Sequence, residues 1–138
     1  MGIKFKQKLI GDRIILKINK FDLELAQEIF EVVDKNREYL SKWLPWASST
    51  KRVEDTLKFL QDTEEGIKNK NKVNYGIFIG NKYLGNIGVF DIDEENLSAE
   101  IGYWLSQDFA RNGYVTEAVK LIEKDFFKRL AFNRLQIK

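Results

Sequence analysis

The chain contains no cysteine and no histidine among its 138 residues. Without cysteine it forms no disulfide and offers no thiolate to a metal ion. Without histidine it has no Ser-His-Asp triad, no histidine-ligated zinc and no imidazole to act as a general base. We therefore predict no metal site, and any proton transfer must use a carboxylate, a tyrosine, a serine, the backbone or water.

Neither sign of charge is in much excess, since 23 Lys and Arg face 21 Asp and Glu for a net charge of +2. This balance predicts no nucleic-acid partner, which usually requires a concentrated basic patch. Lys68, Lys70 and Lys72 form a small cluster, but Glu64 and Glu65 precede it, so we interpret it as a solvated helix end. No apolar run reaches membrane-spanning length, and the first residues lack a signal-peptide core. We expect a cytoplasmic protein without a membrane partner.

Proline occurs once, at Pro45, and no Ser/Gly-rich linker divides the chain, so we predict a single domain over residues 1–138. The apolar spacing predicts a mixed α/β fold. Helices are expected at 22–33, 38–43, 53–69 and 116–130, and strands at 13–18, 74–79, 83–90, 98–105 and 134–138. Asp22 would cap the first helix, and the second would stop before Pro45. Because a helix connects the last two strands, these should be parallel neighbours.

The most informative segment spans residues 99–119, which indicate a buried strand, a short polar loop and a helix beginning between Gly113 and Thr116. A loop that leads into a helix N-terminus directs several unpaired N–H groups at one place, and the helix dipole adds to their attraction for an anion. A phosphate-bearing cofactor is therefore the first hypothesis. A nucleotide-binding fold is a weaker alternative, because the preceding strands form an antiparallel meander and neither a GxGxxG nor a Walker pattern occurs.

Three stretches carry a resemblance to a known family. They are Glu100-Ile-Gly-Tyr-Trp-Leu105 with Phe109-Ala-Arg-Asn-Gly-Tyr-Val-Thr-Glu-Ala118, Asn36-Arg-Glu-Tyr-Leu-Ser-Lys-Trp-Leu-Pro-Trp46, and Asn133-Arg134-Leu135. In this order and spacing the chain resembles the GNAT superfamily of acetyl-CoA-dependent N-acetyltransferases. The closest resemblance is to its RimJ/RimL-like branch, which acetylates protein N-termini, particularly those of ribosomal proteins. It implies the GNAT acyl-CoA N-acyltransferase fold and acetyl-CoA as the cosubstrate.

Compared with that fold, the sequence is truncated after the start of the fifth strand. GNAT domains normally continue with the rest of this strand, a further helix and two more strands, including a residue that protonates the departing CoA thiolate. We expect residues 1–138 to be a fragment, because an uncovered sheet edge is costly. Cover by a partner chain is the alternative, and a homodimer stays open. Activity is accordingly expected of the intact protein rather than of this fragment.

The family's cofactor loop follows the pattern Gln/Arg-x-x-Gly-x-Gly/Ala, whose backbone amides hold the pyrophosphate of CoA. Here this pattern falls on residues 110–115, where Gly113 matches, Ala110 replaces the Gln/Arg and Val115 brings bulk to the last position. The resemblance implies cofactor contacts from Arg111, Asn112, Gly113, Tyr114, Val115 and Thr116. Arg111 either adds a charge-assisted contact to a phosphate or is a solvated loop arginine.

The resemblance also implies functional roles for the strand before the loop and for the connection between the first helices. In the family the pantetheine arm pairs with strand backbone, which here is Tyr103-Trp104-Leu105. For the side chains of Tyr103 and Trp104 we favour core packing, because both faces of that strand should be covered. Trp43 and Trp46 either line the acceptor site or simply cap the core.

Glu100, on the strand that leads into the loop, is the candidate general base, since related enzymes often use a strand carboxylate directly or through water. A structural role, as the partner of a buried arginine or of a capping group, is an equal alternative. The implied function is transfer of acetyl from acetyl-CoA to a primary amine, with a protein N-terminal α-amine favoured. Direct attack is expected, because no cysteine is available for an acetyl-enzyme. Alternatives are a small-molecule amine acceptor and a non-catalytic acyl-CoA-binding module.

Overall fold

The computed structural model describes residues 3–137, which form one six-stranded sheet with the strands in chain order. The strands are β1 Lys8–Ile10, β2 Ile15–Ile18, β3 Val73–Ile79, β4 Lys82–Asp93, β5 Ser98–Leu105 and β6 Arg134–Ile137. Neighbouring strands from β1 to β5 are antiparallel, whereas β5 and β6 are parallel. The predicted α/β class and the parallel last pair are confirmed.

Helices cover both faces of the sheet. Those in the described range are α1 Leu23–Lys35, α2 Arg37–Ser41, α3 Pro45–Ser49, α4 Val53–Asn69 and α5 Tyr114–Lys124. A 3₁₀ turn, Gln107–Phe109, precedes α5, and a π-helical turn, Asp125–Arg129, follows it. Within residues 3–137, no helix combines the length and the apolar character needed to cross a membrane.

The start of α1 follows from its local sequence. Asp22 has an extended backbone, and its carboxylate accepts a hydrogen bond from the Leu25 N–H at 3.1 Å. This bond satisfies one of the N–H groups that a helix leaves without a partner at its first turn. Ala26, Ile29 and Val33 are buried at helical spacing, so this stripe of α1 packs inward. The predicted helix and its cap are confirmed.

Three elements differ from the prediction. The first strand, β1, has only Leu9 buried among its three residues, so the sequence offers no alternation to detect. Pro45 is the first residue of α3 rather than only the end of a helix, a position where its missing N–H costs no hydrogen bond. The last helix begins at Tyr114, within the predicted range from Gly113 to Thr116, but it ends in the π-helical turn rather than as regular α-helix.

Both faces of the sheet are buried, and this places β5 between two cores. One core packs under α5 and includes Ile101, Ile122 and Phe126. The other packs under α1 and α4 and includes Val33 and Leu60. Strands buried on both sides read as nearly continuous apolar runs, which is why the sequence of β3 to β5 is so apolar. The loop that leaves β5 therefore begins at the boundary of both cores.

Candidate functional site

The loop between β5 and α5 turns sharply before the helix begins. Arg111 and Gly113 have positive φ angles of 67° and 80°, and Gly113 directly precedes Tyr114, the first residue of α5. This left-handed conformation costs glycine little, which explains the residue at 113. The first N–H groups of an α-helix have no partner within it, so those of Tyr114, Val115 and Thr116 are able to donate to an anion.

The side chains of this loop divide between solvent and core. Arg111 and Asn112 are exposed, and the Asn112 amide donates to the Phe109 carbonyl at 3.4 Å. Val115 is half-buried and packs against the core under α5. The bulk that we expected at position 115 is therefore directed inward, away from the backbone amides. The structure thus places the six loop residues of the predicted cofactor site, 111–116, at the start of α5.

Arg13, in the turn between β1 and β2, holds this loop in place, a role that no pattern in the sequence indicates. Its Nε lies 2.8 Å from Glu117 Oε1, and its Nη1 donates to the Asn112 carbonyl at 2.7 Å. The guanidinium also lies over the Tyr114 ring, 4.7 Å from the centroid. The backbone N–H groups of Arg13 and Ile14 donate to Glu117 Oε2 at 2.8 and 3.2 Å. Four polar contacts thus tie the first turn of α5 to the N-terminal part of the sheet.

These contacts determine the protonation behaviour of Glu117. Burial acts to raise the pKa of Glu117, but the hydrogen bonds from the Arg13 backbone, the Arg13 side chain and Ile14 outweigh it. The net result is a pKa below the ordinary value of 4.5. Glu117 is therefore ionised at neutral pH and has a structural role. Its negative charge also interacts favourably with the helix dipole at the start of the helix.

Replacing Glu117 by glutamine is expected to lower the Tm by about 5 °C at pH 7, because charged hydrogen bonds of roughly 1–2 kcal/mol are lost. A carboxylate whose pKa is lowered in the folded state stabilises it above the unfolded-state pKa, and loses this effect as the pH falls through the lowered value. The Tm difference from wild type should therefore shrink as the pH falls below 4.5.

Thermal melts from pH 7 to pH 3 provide the measurement, and Lys35→Ala is the matched control. Lys35 pairs with Asp108 on the same loop at 3.1 Å, but both side chains are largely exposed, so its loss should change the Tm by less than about 2 °C. Equal losses in the two variants, or a Glu117→Gln difference that does not depend on pH, would contradict the assignment.

The other end of the loop is held by Asn36, a second residue that the sequence did not single out for this role. Its Oδ1 accepts the Gln107 N–H at 3.0 Å, and its Nδ2 donates to Ser106 Oγ at 3.2 Å and to the Val32 carbonyl at 2.7 Å. Asn36 is buried between α1 and α2. The loop is therefore fixed to α1 at its start and to the turn before β2 at its end.

Two aromatic residues near the end of β5, both of which we expected to pack in the core, differ in their burial. Trp104 is buried, with edge-on ring contacts to Tyr83 and Trp46 at 5.9 Å each. Leu105 is also buried. Tyr103 is 42% exposed, so the predicted core packing is wrong for its side chain. It lies two residues past Ile101, the last position at which β5 pairs with described residues of β6.

A cavity of about 470 Å³ opens on the face of the sheet that packs against α1 and α4. We call it the sheet-face cavity. Its walls are largely apolar, whereas its sheet side carries two buried amides, Asn74 and Asn86. The residues that line it include Ile29, Val33, Leu44, Trp46, Thr50, Asp55, Thr56, Lys58, Phe59, Asp62, Asn74, Asn86, Phe90, Gly102, Tyr103 and Trp104. An apolar pocket with a few polar groups is the usual form of a small-ligand site.

The two tryptophans predicted near the acceptor site lie in different places. Trp46 lines the sheet-face cavity, where its ring meets that of Trp104. Trp43 is 65% exposed and packs edge-on against Tyr39, with 5.2 Å between the ring centroids. Trp43 is not among the cavity's lining residues. The structure therefore brings Trp46, but not Trp43, to this cavity.

Glu100 is half-buried on β5, where it pairs with Phe90 of β4 and Gln136 of β6. Because side chains alternate along a strand, Glu100 shares its face of the sheet with Gly102 and Trp104. Both of those residues, and Phe90, line the sheet-face cavity. Glu100 therefore lies on the face of the sheet that borders the cavity. The next residues of β5 on this face line the cavity.

A mixed sheet in which a strand leads through a short loop into a helix N-terminus, beside an apolar pocket, defines the class of fold. Residues 16–138 match the family described as Acetyltransferase (GNAT) domain, and the chain belongs to this family. The match confirms the resemblance found in the sequence.

Curated relatives agree with this membership. The chain is 26% identical over 113 residues to the ribosomal-protein-serine acetyltransferase of Escherichia coli (strain K12), covering 82% of this chain and 63% of the relative. It is 29% identical over 115 residues to YdaF of Bacillus subtilis (strain 168), which is provisionally named a ribosomal N-acetyltransferase, covering 81% and 62% respectively. Both support the RimJ/RimL-like branch. The chain spans less than two thirds of the length of these relatives.

Solved structures show the same fold. A RimL ribosomal L7/L12 alpha-N-protein acetyltransferase in complex with coenzyme A matches with a TM-score of 0.87 and 23% identity, over 94% of this chain and 73% of that one. The microcin C7 self-immunity acetyltransferase MccE, in complex with acetyl-CoA and AMP, matches with a TM-score of 0.86 and 24% identity, over 92% and 69%. At these identities the likeness establishes the fold.

Proposed function

We propose that this protein transfers the acetyl group of acetyl-CoA to a primary amine, with the N-terminal α-amine of a ribosomal protein as the favoured acceptor. The observation that carries the proposal is the loop between β5 and α5, held by Arg13 and Asn36 and ending at a helix N-terminus. Family membership and the names of the relatives add support.

The residues of the loop fit a CoA pyrophosphate. Backbone N–H groups at the start of α5 would hold its oxygens, and the left-handed conformation at Gly113 allows the turn that exposes them. Val115 does not obstruct these groups, because its side chain packs inward. Arg111 is exposed on the same loop, where a charged contact to a phosphate is open to it. The backbone of Tyr103, Trp104 and Leu105 would pair with the pantetheine arm.

Acetyl transfer to an amine needs a neutral amine near the thioester and a group that takes its proton. The amine nitrogen bonds to the acetyl carbon, the C–S bond breaks, and CoA leaves as a thiolate. Glu100 is the proposed base, receiving the amine proton directly or through one water. The sheet-face cavity, with Trp46 in its wall, would receive the acceptor and exclude bulk water.

The first test is whether acetyl-CoA binds. At about 100 times its Kd, acetyl-CoA should stabilise the full-length protein by about 2.7 kcal/mol, and so raise the Tm by several degrees. ATP and NAD at the same concentration serve as controls and should leave the Tm unchanged. A thermal melt with no shift on acetyl-CoA would overturn the cofactor assignment.

A second candidate acceptor is a small-molecule amine, and the volume of the sheet-face cavity favours it. About 470 Å³ lies within the usual range for small-ligand sites, roughly 300–1,000 Å³. Release of CoA with N-terminal peptides but not with small amines would favour the protein acceptor. Binding of acetyl-CoA without release of CoA for any amine would instead favour a non-catalytic acyl-CoA-binding module.

A further inference from the structure

Two asparagines from neighbouring strands form the sheet side of the sheet-face cavity. Asn74 lies on β3 and Asn86 on β4, and both are at least 96% buried. We call this pair the asparagine floor. It is surrounded by the apolar walls that Ile29, Phe59 and Trp104 contribute to the same cavity. Burying an amide in apolar surroundings costs free energy unless the amide is hydrogen-bonded, so the partners of these amides indicate their role.

The asparagine floor belongs to a continuous chain of hydrogen bonds. Asn19 Nδ2 donates to Asn86 Oδ1 at 2.7 Å, and Asn86 Nδ2 donates to Asn74 Oδ1 at 2.9 Å. Asn74 Nδ2 then donates to Thr63 Oγ1 of α4 at 3.3 Å. The chain fixes the direction of both floor amides, because each oxygen accepts from the residue before it. The floor is therefore preorganised rather than adaptable.

These bonds use only part of what the amides offer. A carboxamide carries two N–H donors and an oxygen that accepts two hydrogen bonds. Within the chain, Asn86 and Asn74 each use one donor and one acceptor position. Among the described residues, no side-chain hydrogen bond uses the second donor or the second acceptor position of either amide, and both residues line the cavity without carrying a charge.

The charged residues of the cavity lie at its edge instead. Asp55 Oδ2 accepts the backbone N–H groups of Lys51 and Arg52, which lower its pKa. Lys58 and Asp62 are exposed on α4. A charged group that entered as far as the floor would lose its water without gaining an opposite charge.

We infer that the asparagine floor selects acceptors that carry, beside the reacting amine, an uncharged group able both to donate and to accept hydrogen bonds. A carboxamide or a hydroxyl has this chemistry. An aliphatic group of the same size makes no hydrogen bond to the remaining donor and acceptor positions of the floor amides, and a carboxylate brings an uncompensated charge. This inference rests on the proposed function, and it makes Asn74 and Asn86 determinants of specificity.

Peptides that differ only in their first residue test the selection. Asn, Asp and Leu at this position have similar size but differ in hydrogen bonding and charge, and Ser and Ala form a second pair. We expect kcat/KM for CoA release to be about 10- to 100-fold higher for Asn than for Leu or Asp, and for Ser than for Ala. If only the Asn peptide is preferred, the group that the floor recognises is a carboxamide. If only the Ser peptide is preferred, that group is a hydroxyl. Equal values throughout, or a preference for Leu and Ala, would overturn the inference.

Matched variants separate selection from a structural role. Asn86→Leu should reduce the difference between Asn and Leu peptides to less than about threefold. Asn19→Leu breaks the same chain of hydrogen bonds, but Asn19 is not among the residues that line the cavity, so it should lower the Tm and preserve the ranking. If both variants alter the ranking equally, the floor is structural only. Should Asn86→Leu fail to fold, Asn86→Ser provides the smaller change with the same expectation.

Peptide binding measured by calorimetry distinguishes this inference from the proposed function. With CoA present, the Kd of the Asn peptide should be about 10-fold lower than that of the Leu peptide. A protein that shows the acetyl-CoA shift in Tm but no such difference retains the proposed function and loses the inference. A protein without that shift loses the proposed function, and calorimetry without CoA still decides whether the floor distinguishes the peptides.

Discussion

Glu100→Gln is expected to lower kcat for acetyl transfer about 100-fold or more, because glutamine keeps the shape of glutamate but cannot accept the amine proton. The affinity for acetyl-CoA should stay within about twofold, since Arg13 and Asn36 fix the loop that would hold it. Discontinuous assays of CoA release give kcat, and a titration of the same protein with acetyl-CoA gives its affinity.

Glu95→Gln is the control for this prediction. Glu95 is an exposed carboxylate in the turn between β4 and β5, so its replacement removes the same charge without approaching the cavity. Activity should be unchanged. A Glu100→Gln protein that keeps its kcat but loses several degrees of Tm would favour the structural alternative, in which this carboxylate serves packing rather than proton transfer.

Gly85→Ala should strongly impair folding. A Cβ at position 85 would lie 2.2 Å from the Trp104 carbonyl oxygen and 2.8 Å from the Leu105 Cα. Both are backbone atoms of β5, so only separation of β4 from β5 could relieve the overlap. We expect a loss of about 3 kcal/mol or more, which is a fall in Tm of about 10 °C, or no folded protein.

Gly102→Ala is the control, because it adds the same methyl group on the neighbouring strand. Its nearest neighbour would be the Phe90 ring at 3.2 Å, and a side chain can move where backbone cannot. We expect a fall in Tm of less than about 4 °C. Circular dichroism melts of both variants give the comparison. Equal stability of the two would mean that β4 and β5 are not as close at position 85 as the structure has them.

Next to Gly85, β4 contains a β-bulge that the hydrophobic periodicity of the sequence does not predict. Ile77 of β3 pairs with Gly85, but the next residue, Phe78, pairs with Tyr83. Leu84 is the additional residue, and its carbonyl accepts the Ser106 N–H at 2.8 Å. The start of the loop between β5 and α5 is therefore attached to an irregularity of β4.

Elements with strong local signals could be predicted from the sequence. The cap at Asp22, the long helix α4 and the limits of β5 all follow from residues within a few positions of each other. The edge strand β1 could not, since a three-residue strand with one buried side chain carries no pattern. Its existence depends on pairing with β2, which is a tertiary contact.

The candidate site divides in the same way. The loop residues from Arg111 to Thr116 were recognisable because they are contiguous and resemble a family pattern. Arg13 and the asparagine floor were not, because their roles come from residues far apart in the chain. Asn19 and Asn86, for example, are 67 positions apart and meet only when β2, β3 and β4 have formed. Single polar residues in apolar surroundings carry no spacing that indicates a partner.

Arg13 also determines where the chain can be shortened without damage. It lies 104 positions before Glu117 and three before residue 16, at which the match to the family begins. A chain cut at residue 16 would retain the whole loop and α5 but lose the guanidinium and the N–H groups that hold them. The site therefore depends on residues outside the segment by which its family is recognised.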